Sequence, residues 1–309
     1  MQQEEGKVQQ PGDANDAPTM ALSPASLTPT ALLSPQSGEE TCVACGDNPN
    51  GGEMGNFVYA IGRIEPRFPS HSVEKEFVQA TGRAETAGLT DREALYKVLS
   101  ERQNRYLVRQ LGYVLTIEGL DTYILQPRNS ADFDLLVEAI RTAPRSTDVD
   151  VVIGTRGSIA PAEMFNGLML PLVTFDQIYS FDVDSFIESI PRSEKIPEDE
   201  FKAAAEEVFM RIMQMVDNSG ATDEYRAVNY LALRYPQIYG TAAECHAREC
   251  SLAGVEVRPS SLSGVRKILD VIFSYTDRKT DFTEKYFVRV DVSEEFPFLV
   301  TKMSPYFDR

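Results

Sequence analysis

The chain is 309 residues long, 42% hydrophobic, and carries a formal net charge of −17. That length allows one large domain or two small ones with a real core, and the acidity repels phosphate backbones, which disfavours nucleic acid and anionic membrane surfaces as partners. No apolar run approaches the ~20 residues that span a bilayer, and the acidic start Met1-Gln-Gln-Glu-Glu lacks the apolar segment of a secretory signal, so a cytoplasmic location is expected.

Residues 1–40 are rich in Gln, Pro, Ser, Thr and Ala and hold no aromatic residue. Such a segment buries too little surface to offset its ordering entropy, and reads as a disordered tail or linker. The domain is expected to run over 41–309, with the first strand at Phe57-Val-Tyr-Ala-Ile61. Thr90 and Glu93 form a capping box that opens a helix reaching Leu111. Strands at Tyr113–Ile117 and Thr122–Gln126 flank a hairpin loop, and Pro127 ends the second because it cannot continue a ladder. Phe133, Leu136, Val137 and Ile140 share a helical face. Asp150–Ile153 reads as a strand closed by Gly154. Two helices follow, over Glu198–Val216 and Thr222–Tyr235, the second stopped before Pro236. Strands at Leu269–Tyr275, Tyr286–Val292 and Phe298–Thr301 finish the chain. Strands, then helices, then strands, without a βαβ rhythm, predict an α+β fold with a mixed or antiparallel sheet and several packed helices.

The four cysteines fall in two close pairs, Cys42-Val-Ala-Cys45 and Cys245-His-Ala-Arg-Glu-Cys250. Each pair presents two thiolates at a spacing one metal can bridge, and four together suit a closed tetrahedral zinc site. With no place left for water, such zinc braces a fold and does not catalyse. Cys42, Cys45, Cys245 and Cys250 are therefore the candidate ligands of a structural zinc. The alternatives are two disulfides, a redox C-x-x-C at Cys42 and Cys45, and four unrelated free thiols. A reducing compartment argues against the first, and the Pro/Ser-rich stretch before Cys42 against the second. His246 could replace one thiolate and ranks below the four cysteines.

Other chemistry is thin. The histidines are His71 and His246 alone, and no nucleophile motif accompanies them. His71, in Pro69-Ser-His-Ser-Val, reads as a surface loop residue. Gly154-Thr-Arg-Gly157 could form an anion-binding nest with Arg156 as clamp, against the plainer reading of a turn. Asp182/Asp184 and Glu294/Glu295 could serve acid/base work, but chance pairs are expected among 47 acids. Met210, Met213 and Met215 fit a helix core better than a ligand groove.

The segment from Phe282 to Arg309, which includes Phe287-Val-Arg-Val-Asp-Val-Ser-Glu-Glu-Phe-Pro-Phe298, resembles the closing part of the domain of unknown function in the cyanobactin maturation proteases PatA and PatG. Phe57–Phe68, Gln103–Leu107 with Tyr123–Arg128, and Asn229–Pro236 are similar to that family as well, so the resemblance covers about residues 40–309. It implies biosynthesis of ribosomally made, modified peptides, and an accessory domain that follows a subtilisin-like protease or macrocyclase. It also implies metal binding by the four cysteines. The chain carries no subtilisin-type Asp-His-Ser set, so protease activity is not carried over. The resulting reading is a non-catalytic interaction module with a structural zinc, whose partner is the precursor peptide, a maturation enzyme of the same pathway, or a second copy of the chain. Sheet edges among the C-terminal strands could add a peptide strand. The alternative is an unrecognised enzyme acting on the precursor peptide through Arg156, His71 or a carboxylate pair.

Overall fold

The first strand expected, at Phe57, is present: β1 spans Phe57–Arg67. The computed structural model describes residues 56–84 and 86–307. The expected tail over 1–40, the domain start at 41, and Cys42 and Cys45 all lie outside the described residues.

Helix α1 (His71–Arg83) follows β1, where the sequence reading had a loop. Its signals are ordinary: Ser70 caps the Val73 N–H, and Val73, Phe77, Ala80 and Ala84 recur at helical spacing on the core side. The single helix expected from Thr90 to Leu111 is two. Helix α2 (Asp91–Ser100) carries the full Thr90/Glu93 capping box, and α3 (Arg105–Gln110) follows a 3₁₀ turn at Arg102–Asn104. The break has a cause in Asn104, whose buried amide donates to the Val98 carbonyl at 2.9 Å and to Glu101 at 3.0 Å. That bond offers the C-terminus of α2 a partner which a continuous helix would deny it.

Strands β2 (Gly112–Ile117) and β3 (Leu120–Pro127) form the expected hairpin, and α4 (Phe133–Glu138) the expected short helix. Strands β4 (Asp148–Ile159) and β5 (Pro171–Asp182) are long. Gly154 does not close β4; the strand runs on through it. The five strands close a barrel in the order β1-β2-β3-β5-β4, antiparallel except for the parallel β3–β5 pair. β1 closes it by pairing with β4 through Phe57–Gly62 and with β2 through Arg63–Arg67.

Helices α5 (Val183–Ser189), α6 (Glu198–Met213), α7 (Asp223–Arg234) and α8 (Gln237–Ala247) come next. Pro236 separates α7 from α8, and α8 was missed in the sequence. Strands β6 (Cys250–Pro259, also missed), β7 (Ile268–Asp277), β8 (Thr283–Asp291) and β9 (Phe298–Pro305) form an antiparallel meander with β6 and β9 at its edges. One face of this sheet buries Leu252, Val271, Phe273, Val288 and Val290 against Phe201, Val208, Ile212, Leu231 and Tyr239 of α6–α8. Burial of that apolar surface is the main force holding helices to sheet. The result is the α+β architecture read from the sequence, with mixed pairing in the barrel and antiparallel pairing in the meander.

Candidate functional site

Cys245 sits in the last turn of α8 and Cys250 opens β6. Glu249 between them takes φ +63°, the left-handed step that turns helix into strand. Both thiols are buried. Arg248 serves both: its Nη2 donates to Cys245 Sγ at 3.4 Å, and its carbonyl accepts from Cys250 Sγ at 3.8 Å. Glu284 holds the guanidinium in place, with Nη1 to Oε1 at 3.0 Å, and the Tyr286 hydroxyl accepts from Nη2 at 3.4 Å. Burial pushes the Cys245 thiol up to about 11, against the pull of Arg248, and raises Cys250 in the same way. Both are therefore thiols at neutral pH, and a metal would have to displace their protons.

The chemistry of this pair fits half of a zinc site. Two soft donors meet at one helix–strand junction, with a guanidinium placed to offset thiolate charge. Among the described residues no cluster of three or more His, Cys, Asp or Glu ligands occurs, so His246 does not join the two thiols. The other two expected ligands, Cys42 and Cys45, lie outside the described residues.

The other sequence candidates take structural places. His71 is the first residue of α1 and pairs with Glu74 at 3.0 Å on the surface. Asp182 caps α5: it accepts from the Thr147 hydroxyl at 2.6 Å and the Ser185 N–H at 2.9 Å, which hold its carboxyl down at about 2. Gly154-Thr-Arg-Gly157 is neither nest nor turn, because it lies inside β4. Met213 and Met215 pack against the core, whereas Met210 is exposed. Met210 and Met213 line a cleft of about 560 Å³ with Phe209, Val149 and Arg63. A second cleft, of about 600 Å³, lies between the end of β1 and helices α1 and α2, lined by Phe68, Phe77, Leu95, Arg67 and Arg92.

A polar cluster the sequence did not single out joins the barrel to the C-terminal sheet. Its origin is a bulge in β5. Ile153 pairs with Gln177 and Gly154 with Phe175, so Asp176 is the extra residue between them. A bulge re-aims its side chain. Gly154 permits it, since a Cβ there would stand 2.3 Å from the Thr174 carbonyl oxygen. Asp176 meets Arg128, just past β3, in a two-pronged pair at 2.5 and 2.7 Å. On the other side, the Glu295 carboxyl faces Asp176 within hydrogen-bonding reach. Glu295 belongs to the β8–β9 turn, which Arg226 of α7 grips. Arg226 is 1% exposed and donates to the carbonyls of Val292 at 2.9 Å, Glu294, and Glu295 at 3.2 Å, and to Asp223 at 3.1 Å. Its guanidinium lies over the Phe57 ring, 5.1 Å from the centroid. Burial and the Asp176 carboxylate raise Glu295 to about 7, while Arg128 holds Asp176 below the usual range. Neither carboxyl lines either cleft.

The stretch from α6 to β9 decides what the chain resembles. Residues 195–306 match the family described as PatG C-terminal. That match agrees with the resemblance carried by the closing strands. A solved structure, the "PatG Domain of Unknown Function", superposes with a TM-score of 0.67 at 19% identity over 82% of this chain and 99% of that one. At that identity what is shared is the fold, and the coverage carries it beyond residues 195–306 into the barrel. No curated protein matches. Among the described residues no helix is long and apolar enough to cross a membrane.

Proposed function

We propose that the chain is a non-catalytic accessory module in cyanobactin-type peptide maturation, located in the cytoplasm. It binds the precursor peptide, a maturation enzyme of the pathway, or its own copy. The observation that carries this reading is the separation of reactive character from concavity. The carboxyl displaced to near neutrality, Glu295, is engaged in joining sheet to barrel, and the two large clefts hold no such group. An enzyme site brings shifted groups and a pocket together. A zinc ion held by Cys42, Cys45, Cys245 and Cys250 would brace the junction of α8 and β6. The support for it is the burial of Cys245 and Cys250 around Arg248.

The deciding experiment has two arms. Metal content by mass spectrometry is read on full-length protein purified without added zinc, beside Cys42→Ser and Cys245→Ser. About one zinc per chain, lost in both variants, supports the shared site; native protein free of metal sinks it. In the second arm a synthetic precursor peptide is titrated calorimetrically and its mass followed. Binding without a change in mass supports the module. Cleavage or modification of the peptide overturns it in favour of an enzyme.

A further inference from the structure

We propose that Asp176 and Glu295 share one proton, and that this proton fastens the β8–β9 turn to the barrel, so that the turn releases when the proton leaves.

The geometry demands a proton. Glu295 Oε1 is buried, and no N–H or O–H donor among the described residues reaches it. Its neighbour is the Asp176 carboxyl, another acceptor, whose own two oxygens are engaged by Nε and Nη2 of Arg128. Two acceptors in hydrogen-bond contact hold together only with a hydrogen between them, and two ionised carboxylates at that range repel. Arg128 stabilises charge on Asp176, which leaves Glu295 as the carboxyl that keeps the proton.

The charged groups that face the pair come from each packed element. Arg128 follows β3 and Asp176 lies on β5, while Arg226, itself paired with Asp223, comes from α7. Arg226 is committed to the carbonyls of the turn. It therefore neutralises an ionised Glu295 only in part, and the carboxyl's rise to about 7 agrees with that balance. The shift puts loss of the proton near physiological pH, where an ordinary glutamate is already ionised.

The consequence is a local opening. The turn at 292–297 connects to the barrel through Glu295 and to α7 through Arg226. It also sets the start of β9, where Phe298 pairs with Asp291 and Leu299 with Val290. Release of Glu295 would free the first residues of this edge strand while the rest of the sheet stays packed on the helices.

The test is hydrogen exchange on the full chain over about pH 5.5 to 8.5, corrected for intrinsic exchange rates. The wild type is expected to lose protection across residues 292–301 by about tenfold or more, since the protonated fraction falls tenfold per pH unit above the midpoint. Residues of β7 serve as the internal reference and should not change. Glu295→Gln keeps a neutral donor towards Asp176 and should hold its protection over the whole range. Protection in the wild type that does not change with pH overturns the proposal. So does a pH step that persists undiminished in Glu295→Gln.

Discussion

The side-chain amide of Asn229 on α7 donates to the backbone carbonyl of Tyr59 on β1 at 2.8 Å. Through this bond the helical layer docks on the barrel. Asn229 is buried, and its carbonyl accepts from Asn218 at 2.8 Å, so the two asparagines form a satisfied polar pair inside the fold. The same stretch of β1 accepts no side chain at Gly220, whose carbonyl takes the Tyr59 N–H at 2.9 Å.

Asn229→Leu should destabilise the fold by about 2–3 kcal/mol. It strands the Tyr59 carbonyl and one amide of Asn218 in a dry interior, which costs more than the hydrogen bonds gained. The midpoint of urea unfolding measures this. An unchanged midpoint would mean that the two layers dock without the bond.

Gly220→Ala should be at least as damaging, by about 2 kcal/mol or more. Gly220 has φ +70°, and a Cβ there would lie 2.2 Å from the Tyr59 carbonyl oxygen, a backbone atom that cannot swing aside. Gly88 and Gly119 also have positive φ but meet nothing within 4 Å. Ala at either should cost less than at Gly220, and the comparison separates clash from dihedral strain.

Arg226→Leu should cost about 3 kcal/mol or more, because it leaves the carbonyls of Val292, Glu294 and Glu295 without their donor. Arg226→Lys should not restore full stability, since an ammonium cannot reproduce a planar fork that reaches several carbonyls at once. Thermal unfolding of both variants against wild type decides it.

Global stability should carry a signature of Glu295. Its folded-state value, about 7, is raised from an ordinary 4.5. Below 4.5 both folded and unfolded chains hold the proton and the contribution is complete. Between 4.5 and about 7 only the folded chain holds it, so this contribution declines as pH rises, and above about 7 it is gone. Glu295→Gln should flatten that part of the stability–pH curve. Asp182 acts with the opposite sign: its value is lowered from 3.8 to about 2, so its contribution is present above 3.8 and lost as pH falls through about 2. Denaturant titrations at stepped pH distinguish the two.

His246→Ala should leave metal content unchanged if zinc is held by the four cysteines, and Arg248→Ala should weaken zinc retention against a competing chelator. The Arg248 guanidinium donates to Cys245 Sγ and is held in place by Glu284, and outer partners of this kind tune metal affinity by about 10–100-fold. Equal retention in Arg248→Ala would show that the guanidinium only fills space.

Local signals alone determined a good deal of this protein. The capping box at Thr90 and Glu93, the helical faces from Glu198 to Tyr235, the hairpin around Glu118–Asp121 and the last three strands were legible because each rests on residues close in the chain. The α+β class followed from their order, and the likeness of residues 195–306 to the PatG C-terminal family from their residues. The missed pieces had signals too: Ser70 with Val73 and Phe77 announced α1, and Gly154 inside an apolar run announced a bulge better than a strand end.

What only the tertiary structure decided is how distant residues share space. Barrel closure depends on β1 pairing with both β2 and β4, which no window of sequence contains. The break at Asn104 needed its buried contact with Val98. Most of all, Glu295 is an unremarkable acid among 47 in the sequence. It acquires its character from a bulge at Asp176, an arginine at 128 and another at 226, brought together by folding. Proton affinity depends on desolvation and on charges within a few ångströms, and sequence distance carries neither.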